Sequence, residues 1–234
     1  VVVLVCLETS IVVVCVTVRL VFVLVVRRPP GSTPLYSSAA SDGYKRRIAV
    51  YLRNDFAFFE ASAAAGLVGA YSTPVNWHNS PDEARYIFEN SGAKAIVIHA
   101  DLLRGIEKAI PKDVPVFVVE TPPEIVSAYG LAAADAKLPA GATDWSKWLS
   151  QFQPIEAGPA EPPGSMIYTS GTTGHPKGVR RAAPTPDQAV VWAQIIGKVM
   201  GFNPAFDEPQ AMVTVVTGPM YHSWLLYHSP SPRD

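Results

Sequence analysis

Between residues 48 and 223 the chain alternates short apolar runs with stretches whose apolar positions recur at helical spacing. Residues 48–52 form one such run, suited to a strand buried on both faces. Asn54 or Asp55 is placed to cap a following helix, with Phe56, Phe59, Ala63 and Leu67 predicted on its buried face and Gly69 near its end. Ser80-Pro81-Asp82-Glu83 combines a capping box with proline at the first helical position, predicting a helix that reaches Asn90 before Ser91 and Gly92 stop it. Residues 95–98 and 114–119 read as further buried strands, and between them Asp101 caps a short helix running to Ala109. Residues 120–163 are interrupted by prolines, and a single short helix over 144–152 is expected there. Residues 165–169 then read as a strand. A second capping box, Thr185-Pro186-Asp187-Gln188, predicts a helix to Met200 with Gly201 as its stop, and residues 211–216 form a last strand. The alternation predicts an α/β fold: parallel β-sheets covered by helices on both faces.

The ends follow another pattern. Half of residues 1–26 are valine, only Glu8 and Arg19 among them are charged, and Arg27 and Arg28 follow. The length allows a membrane span with a positive flank, yet each charge would cost roughly 2.5–3.5 kcal/mol near a bilayer centre on insertion scales. A signal peptide is disfavoured, because a basic n-region and a clear cleavage site are both missing. The segment is therefore expected to be either an anchor or sequence translated out of frame. Residues 27–47, rich in Pro, Ser and Gly, are expected to be a linker, with order beginning at Ile48. The expected division is thus 1–26, 27–47, a partial domain over 48–223, and an unmatched tail over 224–234.

Charge and cysteines narrow the class. Nineteen basic against twenty acidic side chains leave a formal net charge of −1, without the basic excess a nucleic-acid partner requires. Cys6 and Cys15 are the only cysteines, so nothing beyond them is stapled, which suits a reducing, cytoplasmic compartment; membrane association through residues 1–26 is the alternative. The five histidines lack metal-ligand spacing, so no structural zinc is expected.

After the strand ending at Thr169, and before the next helix, comes Ser170-Gly171-Thr172-Thr173-Gly174-His175-Pro176-Lys177-Gly178. Its glycines let backbone N–H groups approach an anion closely. Ser170, Thr172 and Thr173 add hydroxyl donors, Lys177 adds a positive charge, and nothing in the stretch is acidic. A plain surface turn explains the glycines but not the hydroxyls and the lysine; the chemistry fits a polyphosphate. It is not a Walker A loop, because Lys177 precedes Gly178 rather than a Ser or Thr.

Residues 168–179 (YTSGTTGHPKGV) resemble, almost position for position, the phosphate-binding signature of the AMP-forming adenylating superfamily, with His175 where that family varies. The superfamily includes acyl-CoA synthetases, firefly-type luciferases and peptide-synthetase adenylation domains. Residues 69–77 (GAYSTPVNW), leading to the helix with Glu83, Tyr86 and Ile87, look like the family's stretch ending in Pro-x-Asn. Residues 218–223 (GPMYHS) look like its next core motif, an aromatic-His pair at the acyl end of the site. The resemblance implies an ATP-dependent ligase: a small carboxylic acid, fatty or aryl, attacks the α-phosphate of ATP, and coenzyme A then displaces AMP. It places Thr169, Ser170, Gly171, Thr172, Thr173, Gly174, Lys177 and Gly178 on the ATP phosphates, Thr172 on Mg2+, and Tyr221 and His222 at the acyl substrate. The acyl-CoA synthetase type is suggested by the PMYHS form and by the Asn-Trp after Val75.

The resemblance ends near Ser223. The family's later motifs are absent: the acidic magnesium ligand, the ribose-binding aspartate, and the C-terminal domain with its catalytic lysine. No catalytic residue is therefore assigned, and the chain is expected to be an N-terminal fragment, inactive alone. Two alternatives stay open at this level: a membrane-anchored, non-catalytic nucleotide-binding protein, and an adenylating enzyme whose acceptor is a carrier-protein thiol.

Overall fold

The computed structural model describes residues 2–7, 10–15, 46–152, 163–169, 175–180, 187–188, 190–191, 213–216 and 218–222. Its centre is a five-stranded parallel sheet of order β4-β3-β5-β6-β7, built from β3 (Arg47–Tyr51), β4 (Tyr71–Pro74), β5 (Ala95–His99), β6 (Val116–Val119) and β7 (Thr143–Asp144). The apolar runs alternate between its faces. On one, Ile48, Val50, Leu52, Val97 and Val119 pack with α1 (Phe56–Leu67) and α5 (Trp145–Leu149); on the other, Ala49, Tyr51, Ile96, Ile98 and Val118 pack with α2 (Pro81–Ser91) and α3 (Ala100–Ile106). A 3-10 turn, Glu107–Ala109, extends α3, and α4 (Pro123–Tyr129) makes a small cluster of its own around Ile125. The α/β prediction holds, with helices on both faces of a parallel sheet.

The capping box before α2 forms as read. Glu83 N–H donates to Ser80 Oγ at 3.4 Å, and Ser80 N–H and hydroxyl donate to Glu83 Oε2 at 2.8 and 2.9 Å. Those bonds favour the charged carboxylate and hold Glu83 below its usual pKa. Gly92 closes the helix at φ +61°, where a Cβ would also strike the Arg47 guanidinium at 2.9 Å.

Several expectations are corrected. The buried face of α1 is Ala57, Phe58, Ala61, Ala64 and Ala65, while Phe59 is 40% exposed and Ala63 is on the surface. The small alanines let the helix lie close to the sheet, and Phe58 fills the remaining depth. Asp55, not Asn54, caps this helix, accepting from Phe56 N–H at 2.6 Å. Asp101 does not cap α3: the N-cap is His99, without a side-chain bond, and Asp101 is in the first turn. The proline-rich stretch holds more order than one helix, since Pro122 and Pro123 begin α4 rather than break it. β3 starts at Arg47, one residue before the predicted strand.

At the N-terminus, β1 (Val2–Leu7) and β2 (Ser10–Cys15) pair antiparallel, and β1 also pairs in parallel with β10 (Val213–Val216). Both described stretches of the valine-rich segment are thus strands. Among the described residues no helix is long and apolar enough to cross a membrane. Of the helix predicted after Thr185, residues 187–188 and 190–191 are helical and the rest lies outside the described residues, as do residues 211 and 212 at the start of the last predicted strand.

Candidate functional site

The signature stretch begins and ends on two paired strands of a β-hairpin. β8 (Met166–Thr169) and β9 (Lys177–Arg180) run antiparallel in a register that sets Thr169 opposite Lys177 and Tyr168 opposite Gly178. Thr169 Oγ1 donates to the Lys177 carbonyl at 3.4 Å. Thr169 and Lys177, which flank residues 170–176 in sequence, are thus side by side, and Thr169, His175, Lys177 and Gly178 are all exposed. The second strand corrects the sequence reading, which placed Lys177 and Gly178 in a loop leading to a helix. Ser170, Gly171, Thr172, Thr173 and Gly174 lie outside the described residues.

Gly178 has a packing reason to be glycine. A Cβ there would come within 3.0 and 3.1 Å of Tyr168 ring carbons and 3.1 Å of Met166 Sδ. The hairpin is moored to the sheet along the outer side of β4: Ser72 N–H donates to the Gly164 carbonyl at 3.2 Å, and the Ser72 and Ser165 hydroxyls are 3.0 Å apart. It also touches α2, where the Tyr168 hydroxyl donates to Asn90 Oδ1 at 2.7 Å and the His175 ring stacks on Tyr86 at 4.6 Å. Burial raises the Tyr168 pKa, with Tyr86 adding to it and Arg47 opposing, so this donor stays protonated at neutral pH.

The second predicted element is the turn 218–222 after β10. Met220 is 1% exposed and inserts into the α1 side of the core, Tyr221 is half-buried against the same cluster, and His222 is exposed. His222 N–H donates to the Pro219 carbonyl at 3.0 Å, closing the turn. Asn54, just past β3, grips it from below: Nδ2 donates to the Gly218 carbonyl at 2.9 Å and Oδ1 accepts from Met220 N–H at 2.8 Å. The turn and the hairpin are not on one face, since Tyr168 packs with the α2–α3 cluster and Tyr221 with the α1–α5 cluster.

Between β3 and β5 the carboxyl ends of the sheet carry a buried polar network that sequence reasoning missed. Arg53 Nε and Nη2 donate to Asp101 Oδ2 at 3.0 and 2.8 Å, and the Thr121 hydroxyl donates to Asp101 Oδ1 at 2.7 Å. The guanidinium lies 4.2 Å from both the Trp77 and the Tyr129 ring centroids. His99, fully buried, accepts the Arg53 backbone N–H on Nδ1 at 3.1 Å and meets Asp55 Oδ2 through Nε2 at 3.1 Å. An accepting Nδ1 places the hydrogen on Nε2, where it is donated to Asp55. A cleft of about 300 Å³ opens beside this network, lined in part by Tyr51, Arg53, Trp77, Asn79 and Asp101. Among the described residues no group of three or more His, Cys, Asp or Glu is placed to hold a metal ion.

Residues 42–228 match the family model described as AMP-binding enzyme, and this covers most of the chain. The chain belongs to that family. Among relatives of this AMP-binding protein, a 3-oxocholest-4-en-26-oate–CoA ligase of Rhodococcus rhodochrous is 30% identical over 137 residues, 57% of this chain and 23% of the relative. The long-chain-fatty-acid–CoA ligase FadD13 of Mycobacterium tuberculosis is 27% identical over 142 residues, 57% of this chain and 24% of the relative. A solved benzoate CoA ligase from Burkholderia xenovorans LB400 aligns over 70% of this chain and 29% of its own, at 15% identity and a TM-score of 0.48. The chain thus spans about a quarter of the length of these relatives.

Proposed function

We propose that this AMP-binding chain supplies the ATP-phosphate loop and part of the acid pocket of an acid–CoA ligase that works through an acyl-adenylate. The observation that carries the reading is the hairpin: its register brings together the exposed Thr169 and Lys177, which flank a glycine- and threonine-rich sequence without acidic residues. In the proposed reaction a carboxylate oxygen attacks the α-phosphorus of ATP, and the bond to the β-phosphate oxygen breaks, releasing pyrophosphate. The thiolate of coenzyme A then attacks the acyl carbon, and AMP leaves with the bonding electron pair. This chain's residues act on the first step, where Lys177, the hydroxyls of Thr169, Ser170, Thr172 and Thr173, and the backbone N–H groups from Gly171 to Gly174 offset charge on the departing pyrophosphate. Tyr221 and His222 border the acid. The loop offers hydroxyls without a carboxylate, so magnesium would arrive with the nucleotide, with Thr172 at most one ligand among several. Coenzyme A is assigned as acceptor, and a fatty or aryl acid as substrate, on the form of the 218–223 motif.

Calorimetric titration of the 234-residue chain with ATP tests the reading. A charge-assisted contact contributes about 1.5–3 kcal/mol, so Lys177→Ala is expected to weaken ATP binding by about tenfold to a hundredfold. A wild-type chain that fails to bind ATP, or a Lys177→Ala variant that binds it equally well, would refute the assignment.

A further inference from the structure

We infer that Asn54 is a positioning residue for the acid, acting through the turn that carries Tyr221 and His222; this rests on the acyl assignment made above. The geometry is specific to a carboxamide. One side-chain group donates to the Gly218 carbonyl and accepts from the Met220 N–H, 164 and 166 residues along the chain, as a neighbouring strand would. A carboxylate could not donate, and an aliphatic side chain could do neither. Met220 anchors the turn at one apolar point, about which it could still pivot. The two hydrogen bonds add two further points and so fix the plane from which the Tyr221 and His222 side chains leave.

Asn54 can do this because it is itself held on both sides. Arg53 before it is tied by its backbone N–H to His99 and by its guanidinium to Asp101. Asp55 after it is tied to His99 Nε2 and to the first N–H of α1. The carboxamide therefore projects from a backbone with little freedom, the condition under which a supporting residue sets geometry to a fraction of an ångström. The exposed His222 and half-buried Tyr221 inherit that placement. Its side-chain bonds go to the turn and none goes to the described residues of the hairpin, so its effect should fall on the acid alone.

The test compares wild type, Asn54→Ala and Asn54→Gln in the full 234-residue chain. Binding is measured with benzoate and octanoate as acid probes and, separately, with ATP. Asn54→Ala is expected to weaken acid binding about tenfold, the loss of two hydrogen bonds of modest net worth, while ATP affinity stays within about twofold. Asn54→Gln, with both groups on a longer stem, should recover part of the loss. Hydrogen exchange at the Met220 amide should accelerate in Asn54→Ala and less so in Asn54→Gln. If Asn54→Ala does not fold, the decision passes to Asn54→Gln, whose acid affinity must then fall below wild type with ATP affinity kept. Unchanged acid affinity in the folded variants overturns the inference alone. Equal losses for acid and ATP also overturn it, because they mark a general structural role. A wild type that binds ATP but neither acid removes the acyl assignment and this inference together, leaving the phosphate-loop reading intact.

Discussion

Removing Asp101, in the first turn of α3, should be among the most damaging single changes in this fold, and adding a second change should reverse most of the damage. The Arg53 and Asp101 side chains are 8% and 5% exposed, and their contacts are two N–H donations from the guanidinium and one hydroxyl donation from Thr121. Asp101→Ala leaves a buried guanidinium whose Nη1 already lacks a partner. Breaking a buried pair in this way costs about 3–5 kcal/mol, against a typical total stability of about 5–15 kcal/mol. The Trp77 and Tyr129 rings flank the cation in both states and cannot compensate for the lost carboxylate. In Arg53→Met/Asp101→Leu no charge remains to be desolvated, and replacements of this kind are commonly near neutral. The double variant should therefore recover at least about 2 kcal/mol relative to Asp101→Ala, a coupling of the size expected for residues in direct contact.

Urea unfolding followed by tryptophan fluorescence reads this directly, with Trp145 buried in the core and Trp77 beside Arg53. Midpoints are comparable only while the slope is unchanged, so the slope is the control. Additive costs for the two positions, or a loss below about 1 kcal/mol in Asp101→Ala, would show that the pair is hydrated and not the buried strut described here.

Two further outcomes follow from single side chains. The Tyr51 hydroxyl, 3.2 Å from the Trp77 carbonyl, is pushed up to about 12 from 10.0, chiefly by burial, with Arg53 opposing and Asp101 and Glu83 adding to the rise. The unfolded chain ionises first, so the stability of wild type over Tyr51→Phe should be constant below pH 10 and decline as pH rises towards 12; a difference that stays flat up to pH 11.5 contradicts the assignment. Gly178→Ala forces a methyl against Tyr168 and Met166, an overpacking that costs about 1–3 kcal/mol. It should lower ATP affinity by misplacing Lys177, and unaltered ATP titration would show that the hairpin absorbs the strain.

The local devices were legible and the long-range ones were not. Ser80 and Glu83, three residues apart, announce a helix start that the structure forms bond for bond. The apolar runs that became β3, β5 and β6 could be recognised because a strand buried on both faces has no polar positions. The face of α1 was misjudged because Phe56 and Phe59 outweigh alanines in a hydrophobicity pattern, although Ala57, Ala61, Ala64 and Ala65 are what allow close approach to the sheet. The hairpin strand over 177–180 (KGVR) offers little hydrophobic alternation, so its pairing with β8 had no local signal. The clamp between Asn54 and the turn at 218–220 spans more than 160 residues and exists only after folding.

The strand order explains why that clamp matters. β3 lies between β4 and β5; the connection through α1 covers one face of the sheet and the connection through α2 covers the other. Chains wound in this way leave a crevice at the carboxyl ends, where the direction of winding changes, and ligands commonly occupy it. In this molecule the ends of β3 and β5 line that place with groups bonded to one another: Arg53 with Asp101, and Asp55 with His99. The proposed chemistry is correspondingly moved outward, to a hairpin moored outside β4 and a turn gripped by Asn54. The bonded groups form a rigid base, and Asn54 stands between the two residues that make it rigid. Charge changes at Arg53, Asp55, His99 or Asp101 should therefore reach the acid end of the site through Asn54 before they reach the phosphate loop.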